Sequence, residues 1–546
     1  MARDTHDYVV VGAGSAGCVI ASRLSEDPNV SVLLLEDGPW DKSLFITMPG
    51  GLLMLKDADR INWRFPTEPE PHLGGRTDIY HRGRVIGGSS SINGMVYIRG
   101  NRQDFDGWAA NTGFSEWRYE NCLPYFKRCE TSDHKNSPWR GTSGPLRVET
   151  APARDPLHQA FLQAGVDAGF GMTEDLNGAQ QEGFYKVDTT INRGRRWSSA
   201  RAYLHPALDR PNLEVRTGVR ALKVAFEGNK ATGIVYAQNG QESTARAGRE
   251  VILCAGAVGS PHLLMLSGVG AADALKRHGI PVVSDRPGVG ENLQDHAGMY
   301  VRYACTKPIT IGKNLSKSGM LKVGLQWLLT KKGQGASNQF ETGAFVRTRD
   351  ANYGNMQFQF VPFGGDYHLA DSWNVHGFQA KLTVQRPESR GRIALASADP
   401  WARPRIVFNY LATERDRRET REGVAMLRQV FAQKAFDSFR GKELLPGPDV
   451  KSDAEINAFA RSRAATDFHA AGACAMGPAS DPMSVVDRDG RVHGTERLRV
   501  VDTSIYPAVV TGNLNGSAMM IAEKMADMIR GARPLAAEDP ANRLKS

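Results

Sequence analysis

The sequence predicts an α/β protein, α+β when taken as a whole, in which a Rossmann-like domain carries an inserted domain built on an antiparallel sheet. The first domain is predicted by a strand, glycine turn, helix and strand at the start of the chain. Apolar strand-like runs at 250–257 and 497–502 would complete its sheet from separated segments. The inserted domain is predicted by residues 355–361 and 377–384, whose alternating apolar and polar side chains are typical of a sheet with one covered face.

The N-terminal unit has every part that a dinucleotide-binding fold needs. An apolar run at 7–11 leads directly into residues 12–17, which read GAGSAG and match the G-x-G-x-x-G turn. A helix is expected over 18–25 and a second strand over 30–35. Because this whole context accompanies the turn, we expect it to bind a dinucleotide, either FAD or NAD.

Each polar or glycine position of this unit has a mechanical role. Gly12 permits the tight turn, Gly14 lets a pyrophosphate approach the backbone, and Gly17 lets the helix pack against the strand. Glu36 ends the second strand and can accept hydrogen bonds from a ribose diol.

The remaining segments divide between the two predicted domains. A helix is expected to start near 260–261, and 518–529 reads as helical, while helices over 321–329 and 414–432 flank the inserted sheet. We therefore assign residues 1–160, 200–310 and 465–546 to a discontinuous cofactor domain, and residues 161–199 and 311–464 to a substrate domain.

Composition narrows the function classes. The chain has 546 residues, a net charge of +9, 41% hydrophobic and 23% charged residues, as in ordinary globular proteins. The positive charge is not concentrated in a block and no nucleic-acid-binding motif occurs, so a nucleic acid partner is not expected. The six cysteines form no C-x-x-C pair, which argues against a metal site or a disulfide framework.

The location of the protein follows from what the sequence lacks. No apolar run is long enough to span a bilayer, and the N-terminal residues do not resemble a signal peptide. We expect a cytoplasmic protein, and contact with the inner face of the membrane stays open.

Three further motifs carry a family resemblance. Residues 83–100, residues 256–261 continuing to 266–270, and residues 288–296 resemble the signatures of the glucose–methanol–choline (GMC) flavoprotein oxidoreductases. With the N-terminal unit, the resemblance covers nearly the whole chain. It implies that the dinucleotide is FAD. A glycine- and serine-rich stretch such as 87–91 presents amides and hydroxyls that suit a pyrophosphate or the flavin edge.

The resemblance also implies which residues contact the cofactor. Some family members attach FAD covalently through a histidine at the position of Ile92, so FAD should be bound non-covalently here. The expected contacts are Gly12, Gly14, Ser15, Ala16, Gly17, Glu36, Trp63, Arg84, Val85, Gly87, Gly88, Ser89, Asn93, Gly94, Met95, Val96, Val219, Ala255, Gly256, Asp502 and Asn513. Asp502 is expected either to hold FAD or to cap the following turn.

By the same resemblance, the catalytic roles fall to His469 and Asn513, with Asn515 as an alternative to Asn513. Alcohol oxidation removes a hydroxyl proton and a hydride. Histidine suits the proton because its pKa of ~6.5 lies near working pH. We expect His469 to take this proton, flavin N5 to accept the hydride, and Asn513 to donate a hydrogen bond to the substrate oxygen.

The substrate is expected to be a small primary alcohol. Trp63, residues 67–72 and residues 335–341 resemble the bacterial choline dehydrogenase group, and Glu341 is expected to face a trimethylammonium head or to form a structural salt bridge. Gln359 and Phe468 are expected in the substrate pocket at positions where the group has other residues. Choline and a neutral aliphatic, aromatic or polyol alcohol therefore stay open.

Three points of function stay open at this stage. The electron acceptor is oxygen, as in an alcohol oxidase, or a quinone or cytochrome, as in a dehydrogenase. A second hypothesis is a hydroxynitrile-lyase-like enzyme on the same scaffold. A third is a flavin-binding protein without catalysis, against which the His469–Asn513 pair argues.

Overall fold

A computed structural model describes residues 5–365 and 375–543. Its first sheet combines parallel strands with an antiparallel hairpin extension. The strands, in spatial order, are Leu213–Thr217, Val32–Glu36, Thr5–Val11, Gln241–Leu253, Lys230–Gln238 and Val219–Glu227, with Leu498–Val500 also paired to Gln241–Leu253. The predicted α/β dinucleotide-binding fold, with its sheet assembled from separated segments, is confirmed.

The parallel strands of this sheet place their following loops at one edge. Thr5–Val11, Val32–Glu36, Gln241–Leu253 and Leu498–Val500 are almost entirely buried at their carboxyl ends, which is typical of parallel strands covered on both faces. Because they run in the same direction, the glycine turn, Glu36, Ala255 and Asp502 meet at the same edge of the sheet.

The second sheet is antiparallel throughout, as predicted. Its strands, in spatial order, are Arg440–Leu445, Ala297–Cys305, Gly377–Val384, Met356–Val361, Thr342–Val346 and Gly183–Lys186, with Ala465–Thr466 also paired to Ala297–Cys305. The segment 297–305, which we assigned to the cofactor domain, pairs with strands of this sheet. The domain limits stay a prediction, and residues 1–4, 366–374 and 544–546 within those domains lie outside the described residues.

One face of this sheet is covered by a hydrophobic core, and the other face borders a cavity. Phe360 and Phe378 on one face pack into an aromatic cluster with Phe431 of the helix Glu414–Phe431. Gln359 and Lys381, on the other face, line a cavity. The alternation of apolar and polar residues therefore indicates that one face of the sheet has polar surroundings, and in this protein those surroundings are a cavity.

Smaller ladders and helices complete the fold. The short strands are Phe65–Pro66, Ile79–Tyr80, Glu130–Ser132, Leu146–Thr150, Asp188–Thr189, Ile191–Asn192, Arg195–Arg196, Val269–Gly270, Ser284–Asp285, Arg392–Ala394 and Arg405–Val407. The α-helices are Ser15–Leu24, Leu44–Thr47, Leu52–Leu55, Arg102–Thr112, Tyr119–Cys129, Pro156–Asp167, Gly256–Leu266, Ala272–Arg277, Lys317–Thr330, Glu414–Phe431, Asp453–Arg463, Asn515–Arg530 and Pro540–Arg543. The helix expected near 260–261 begins earlier, at Gly256, and contains Pro261 in its interior. None of the helices in the described part of the chain is long and apolar enough to cross a bilayer.

Candidate active site

A cavity of about 1040 Å³ opens at the carboxyl edge of the first sheet and reaches the polar face of the second. Its wall includes most of the predicted cofactor residues, and these are Gly12, Gly14, Ser15, Ala16, Glu36, Trp63, Arg84, Gly88, Ser89, Asn93, Gly94, Met95, Val96, Val219, Ala255, Gly256, Asp502 and Asn513. His469, Gln359 and Phe468 line it as well.

Three predicted cofactor residues, Gly17, Val85 and Gly87, are not part of this wall, and their contact with FAD stays a prediction. Gly17 packs against the turn, since a Cβ there would lie 1.8 Å from the Gly12 carbonyl oxygen. Val85 is fully buried in a small apolar cluster. The Gly87 amide donates to the Ala13 carbonyl at 2.7 Å, so it supports the turn and does not face the cavity.

The glycine turn forms a narrow cradle between two loops. Gly12 has φ +96°, and a Cβ on it would lie 2.6 Å from the Cys254 carbonyl oxygen. Gly88, at φ +53°, approaches Gly14 so closely that a Cβ would lie 2.6 Å from the Gly14 Cα. Only glycine fits such contacts, and they leave backbone rather than side chains facing the cavity.

The first helix presents its amino end to this cradle. The helix begins at Ser15, and no side chain caps its first amides. Those free amides, together with the helix dipole, form an anion site suited to a pyrophosphate.

Two buried carboxylates flank the cradle. Glu36, 6% exposed, accepts from the amides of Ala13 and Gly38, both at 2.9 Å, and burial raises its pKa to about 7. Asp502 accepts from the Gly256 amide at 2.9 Å and from the Ser504 amide at 2.8 Å. Asp502 thus lines the cavity and caps the following turn, so the two roles predicted for it are not exclusive.

The loop that contains Asn93 is held by a buried arginine that the sequence analysis did not single out. Arg196, 2% exposed, donates to the Asn93 side-chain oxygen and to its carbonyl oxygen, both at 2.7 Å. It also donates to the Ile46 carbonyl at 2.9 Å. Burial lowers the pKa of Arg196 to about 9. Neutral carbonyl partners therefore hold this cation in place of a carboxylate.

His469 is oriented by its own backbone contacts. Its amide donates to Asp295 at 2.6 Å, and the next amide, that of Ala470, donates to the Tyr80 hydroxyl at 2.8 Å. The preceding residue, Phe468, has φ +62°, which is costly for a bulky side chain, and its carbonyl accepts from Arg82 at 2.8 Å. The peptide before His469 is thus locked in a strained conformation.

A chain of hydrogen bonds determines the tautomer of His469. The His296 Nε2 lies 3.0 Å from the Gln385 carbonyl, which can only accept, so this nitrogen carries the proton. The other nitrogen of His296, Nδ1, lies 3.0 Å from His469 Nδ1. Because a neutral His296 must accept there, His469 donates from Nδ1, and its Nε2 is the unprotonated nitrogen. The Asn513 amide Nδ2 lies 3.0 Å from that Nε2 and donates to it.

The electrostatics support two neutral imidazoles. Burial lowers the pKa of His469 to about 3, and His296 beside it acts in the same direction. Burial also lowers the pKa of His296 to about 4. At neutral pH, His469 is therefore an unprotonated base with its lone pair at Nε2.

Asn513 is the asparagine that meets His469. Its Oδ1 is buried and has no hydrogen-bond partner among the described residues, which leaves one acceptor for a bound molecule. Asn515 begins the last long helix and accepts from the Ser15 hydroxyl at 2.7 Å, so it supports the glycine turn instead.

The second sheet supplies the wall next to His469. Gln359, Lys381 and Tyr300 are cross-strand neighbours on adjacent strands, and all three line the cavity. Lys381 pairs with Asp467 and donates to the Thr466 carbonyl at 2.9 Å. The predicted pocket residue Gln359 is therefore brought to the cavity, beside an ion pair that the sequence did not reveal.

Glu341 is not part of the described cavity wall, and its expected contact with a substrate cation stays a prediction. Its carboxylate accepts from the Ala153 amide at 2.8 Å and from the Ser337 hydroxyl at 2.6 Å. It is absent from the described cavity wall, although its neighbour Phe340 is part of it. Through these two contacts Glu341 anchors a loop.

These residues fit a flavin dinucleotide. The glycine cradle and the uncapped helix suit the pyrophosphate. Glu36, a carboxylate placed to bind a ribose diol, lies at the same sheet edge. The cavity then continues past Asn93 to His469, with its unprotonated Nε2, and to the unpaired amide oxygen of Asn513. The arrangement can accept a proton beside a bound redox ring.

Comparisons with known proteins agree with this reading. Two family models described as GMC oxidoreductase match residues 6–298 and 387–522. An oxygen-dependent choline dehydrogenase of Burkholderia multivorans is 50% identical over 535 residues, 97% of this chain and 94% of that protein. Another, of Chromohalobacter salexigens, is 49% identical over 97% of this chain and 96% of that protein.

Solved structures show the same fold. Pyridoxine 4-oxidase from Mesorbium loti superposes with a TM-score of 0.88 at 30% identity, covering 97% of this chain and all of that one. A formate oxidase of Aspergillus oryzae RIB40, described for its FAD modification, gives a TM-score of 0.90 at 27% identity, covering 96% of this chain and 98% of that one.

Proposed function

We propose a mechanism and a substrate for this chain, which belongs to the GMC oxidoreductase family and is an FAD-dependent oxidoreductase acting on CH–OH groups. The proposal is the oxidation of a small primary alcohol to its aldehyde, with His469 as the base. Bound FAD supplies the hydride acceptor, and it is held without a covalent bond because Ile92, at the cavity wall, has no nucleophilic atom.

The observation that carries the proposal is the lone pair on His469 Nε2. The relay from the Gln385 carbonyl through His296 leaves that atom unprotonated and able to receive the hydroxyl proton. After transfer the imidazolium still donates from Nδ1 to His296, so the relay stabilises the charged form too.

Asn513 positions the alcohol. Its Nδ2 donates to His469 Nε2 without substrate, and it turns to the substrate oxygen once the hydroxyl occupies that position. The Gln359–Lys381–Tyr300 row then borders the rest of the alcohol.

Choline is the first alcohol to consider, because the relatives at 50% and 49% identity are named choline dehydrogenases. Their names also contain "oxygen-dependent", which favours oxygen as the acceptor over a quinone or cytochrome. A cytoplasmic location is part of the proposal.

The test is an anaerobic absorption spectrum of the purified holoenzyme with single alcohols added, choline and its neutral isostere 3,3-dimethylbutan-1-ol included. We expect one of them to bleach the flavin, and His469→Ala to remove the fast bleaching while keeping the flavin. A bound flavin that no alcohol bleaches would contradict the proposal and favour a lyase that uses the same base.

A further inference from the structure

The helix Lys317–Thr330 is apolar on the side that faces solvent. Leu321, Leu325, Leu328 and Leu329 are exposed by 64, 50, 46 and 85%. With 3.6 residues per turn, these four leucines fall within an arc of about 100°. We call them the leucine face.

The opposite side of the same helix attaches it to the protein. Trp327 is 2% exposed and its indole donates to the Gly194 carbonyl at 2.7 Å. Its Cβ lies against Gly335, whose other neighbours include Met48. The helix is therefore apolar on both sides, and only one side is covered by the described residues. A helix that is apolar on both sides is usually buried on both, so an exposed apolar side marks a binding surface.

The residues around the leucine face are basic. From residue 296 to residue 340 the sequence contains no aspartate or glutamate, but it contains six lysines. Lys317 and Lys322 are exposed and lie on the two flanks of the leucine face by helical position. Arg193 and Arg195, on either side of the carbonyl that anchors Trp327, are exposed as well.

We propose that the leucine face docks this protein onto the surface of an anionic lipid bilayer. Leucines with a basic border match the interfacial helix, in which the apolar side enters the acyl boundary and lysines meet lipid phosphates. A second copy of the chain fits less well, because a two-fold contact would bring these lysines against each other. The proposal does not depend on the reaction at His469.

The same region adjoins the cofactor cavity. Pro49–Gly51 packs against Gln334–Ala336, which follows the leucine helix, and Leu52, Leu53 and Leu55, next in the chain, line the cavity. Docking therefore brings one wall of the cavity close to the lipid surface.

The test is co-sedimentation of the holoenzyme with vesicles of phosphatidylcholine alone or mixed with phosphatidylglycerol. We expect binding to the mixed vesicles and little to the neutral ones. Leu325→Ser with Leu329→Ser should lower the partition coefficient about a hundredfold, roughly tenfold for each leucine. Lys317→Gln with Lys322→Gln should weaken binding to the anionic vesicles about fivefold per lysine.

Val166→Ser is the matched control, because Val166 is 42% exposed on another helix and should leave binding unchanged. A second readout does not need the serine variants to fold well. All six native cysteines are buried, so a polarity-sensitive dye on Leu329→Cys labels that position selectively. Its emission should shift to the blue with anionic vesicles, and the same dye on Val166→Cys should not shift.

Three results would overturn the proposal. The first is equal sedimentation of the leucine variants and the parent protein. The second is no sedimentation of the parent with either kind of vesicle. The third is a parent that is dimeric by light scattering while the leucine variants are monomeric. The last result would identify a second copy as the occupant. Flavin bleaching by an alcohol is measured separately, so failure of docking and failure of the proposed activity are distinguished.

Discussion

Replacing His296 by alanine tests how the fold sets the tautomer of the proposed base. His296 is fully buried and accepts the Nδ1 proton of His469 at 3.0 Å. Without it, His469 Nδ1–H has no acceptor, and a buried donor that loses its partner costs about 1–3 kcal/mol. The tautomer with the proton on Nε2 then competes, and it cannot receive a proton from the substrate.

At about 1.4 kcal/mol per tenfold, this cost corresponds to a decrease of about fivefold to about 140-fold in the rate of flavin reduction. Anaerobic stopped-flow absorbance with saturating alcohol measures that rate. His296→Asn should recover part of it, because the asparagine Oδ1 can accept from His469 Nδ1. An unchanged rate in His296→Ala, or an asparagine variant as slow as the alanine one, would refute the tautomer argument.

The other predictions concern cofactor binding, stability and pH. Gly88→Ala puts a methyl group 2.6 Å from the Gly14 Cα, so the flavin-to-protein absorbance ratio of the purified variant should fall severalfold. Gly107→Ala is the control, because the space around Gly107 is open, and this variant should keep its full flavin content. Arg196→Met leaves buried carbonyl oxygens without a donor and should lower the free energy of unfolding by about 2–4 kcal/mol, as measured in denaturant; an unchanged midpoint would contradict this. Burial lowers the pKa of His158 to about 3, so the folded protein keeps it neutral while the unfolded chain protonates below ~6.5. The free energy of unfolding should therefore fall on acidification from pH ~6.5 towards ~3. In His158→Gln this decrease should be smaller than in the parent by about 1.4 kcal/mol per pH unit. Equal decreases in the two proteins would contradict this.

Much of the fold follows from local pattern. The GAGSAG turn needs a strand before it and a helix after it, and both are found, at Thr5–Val11 and Ser15–Leu24. Period-2 alternation also locates Gly377–Val384. Alternation does not say what faces the polar side, so the buried position of Lys381 could not be predicted from its strand.

The site was predictable only where a motif carries it. His469 and Asn513 were expected by resemblance, and His469 Nε2 lies 3.0 Å from Asn513 Nδ2. Their catalytic roles stay a prediction. The hydrogen-bonded partners Asp295 and His296 end a recognised motif at 288–296, yet nothing in the motif predicts that they hold His469.

Other contacts in and around the site could not be predicted from any sequence motif. The carbonyl of Gln385 and the amide contacts of Glu341 depend on backbone positions far apart in sequence. Spacing and composition cannot reveal these, and Glu341 shows how a motif-like glutamate can serve a loop. Contacts between distant backbone groups are known only once the chain is folded.

The pH dependence of flavin reduction in His469→Ala tests the central claim most directly. In the parent protein the base at Nε2 removes the hydroxyl proton, so the rate should be nearly constant above neutral pH. In the variant the proton must leave to solvent, and the slower rate should rise with pH, up to tenfold per unit, towards the parent rate. A variant that reduces as fast as the parent, or shows the same flat profile, would contradict His469 as the base.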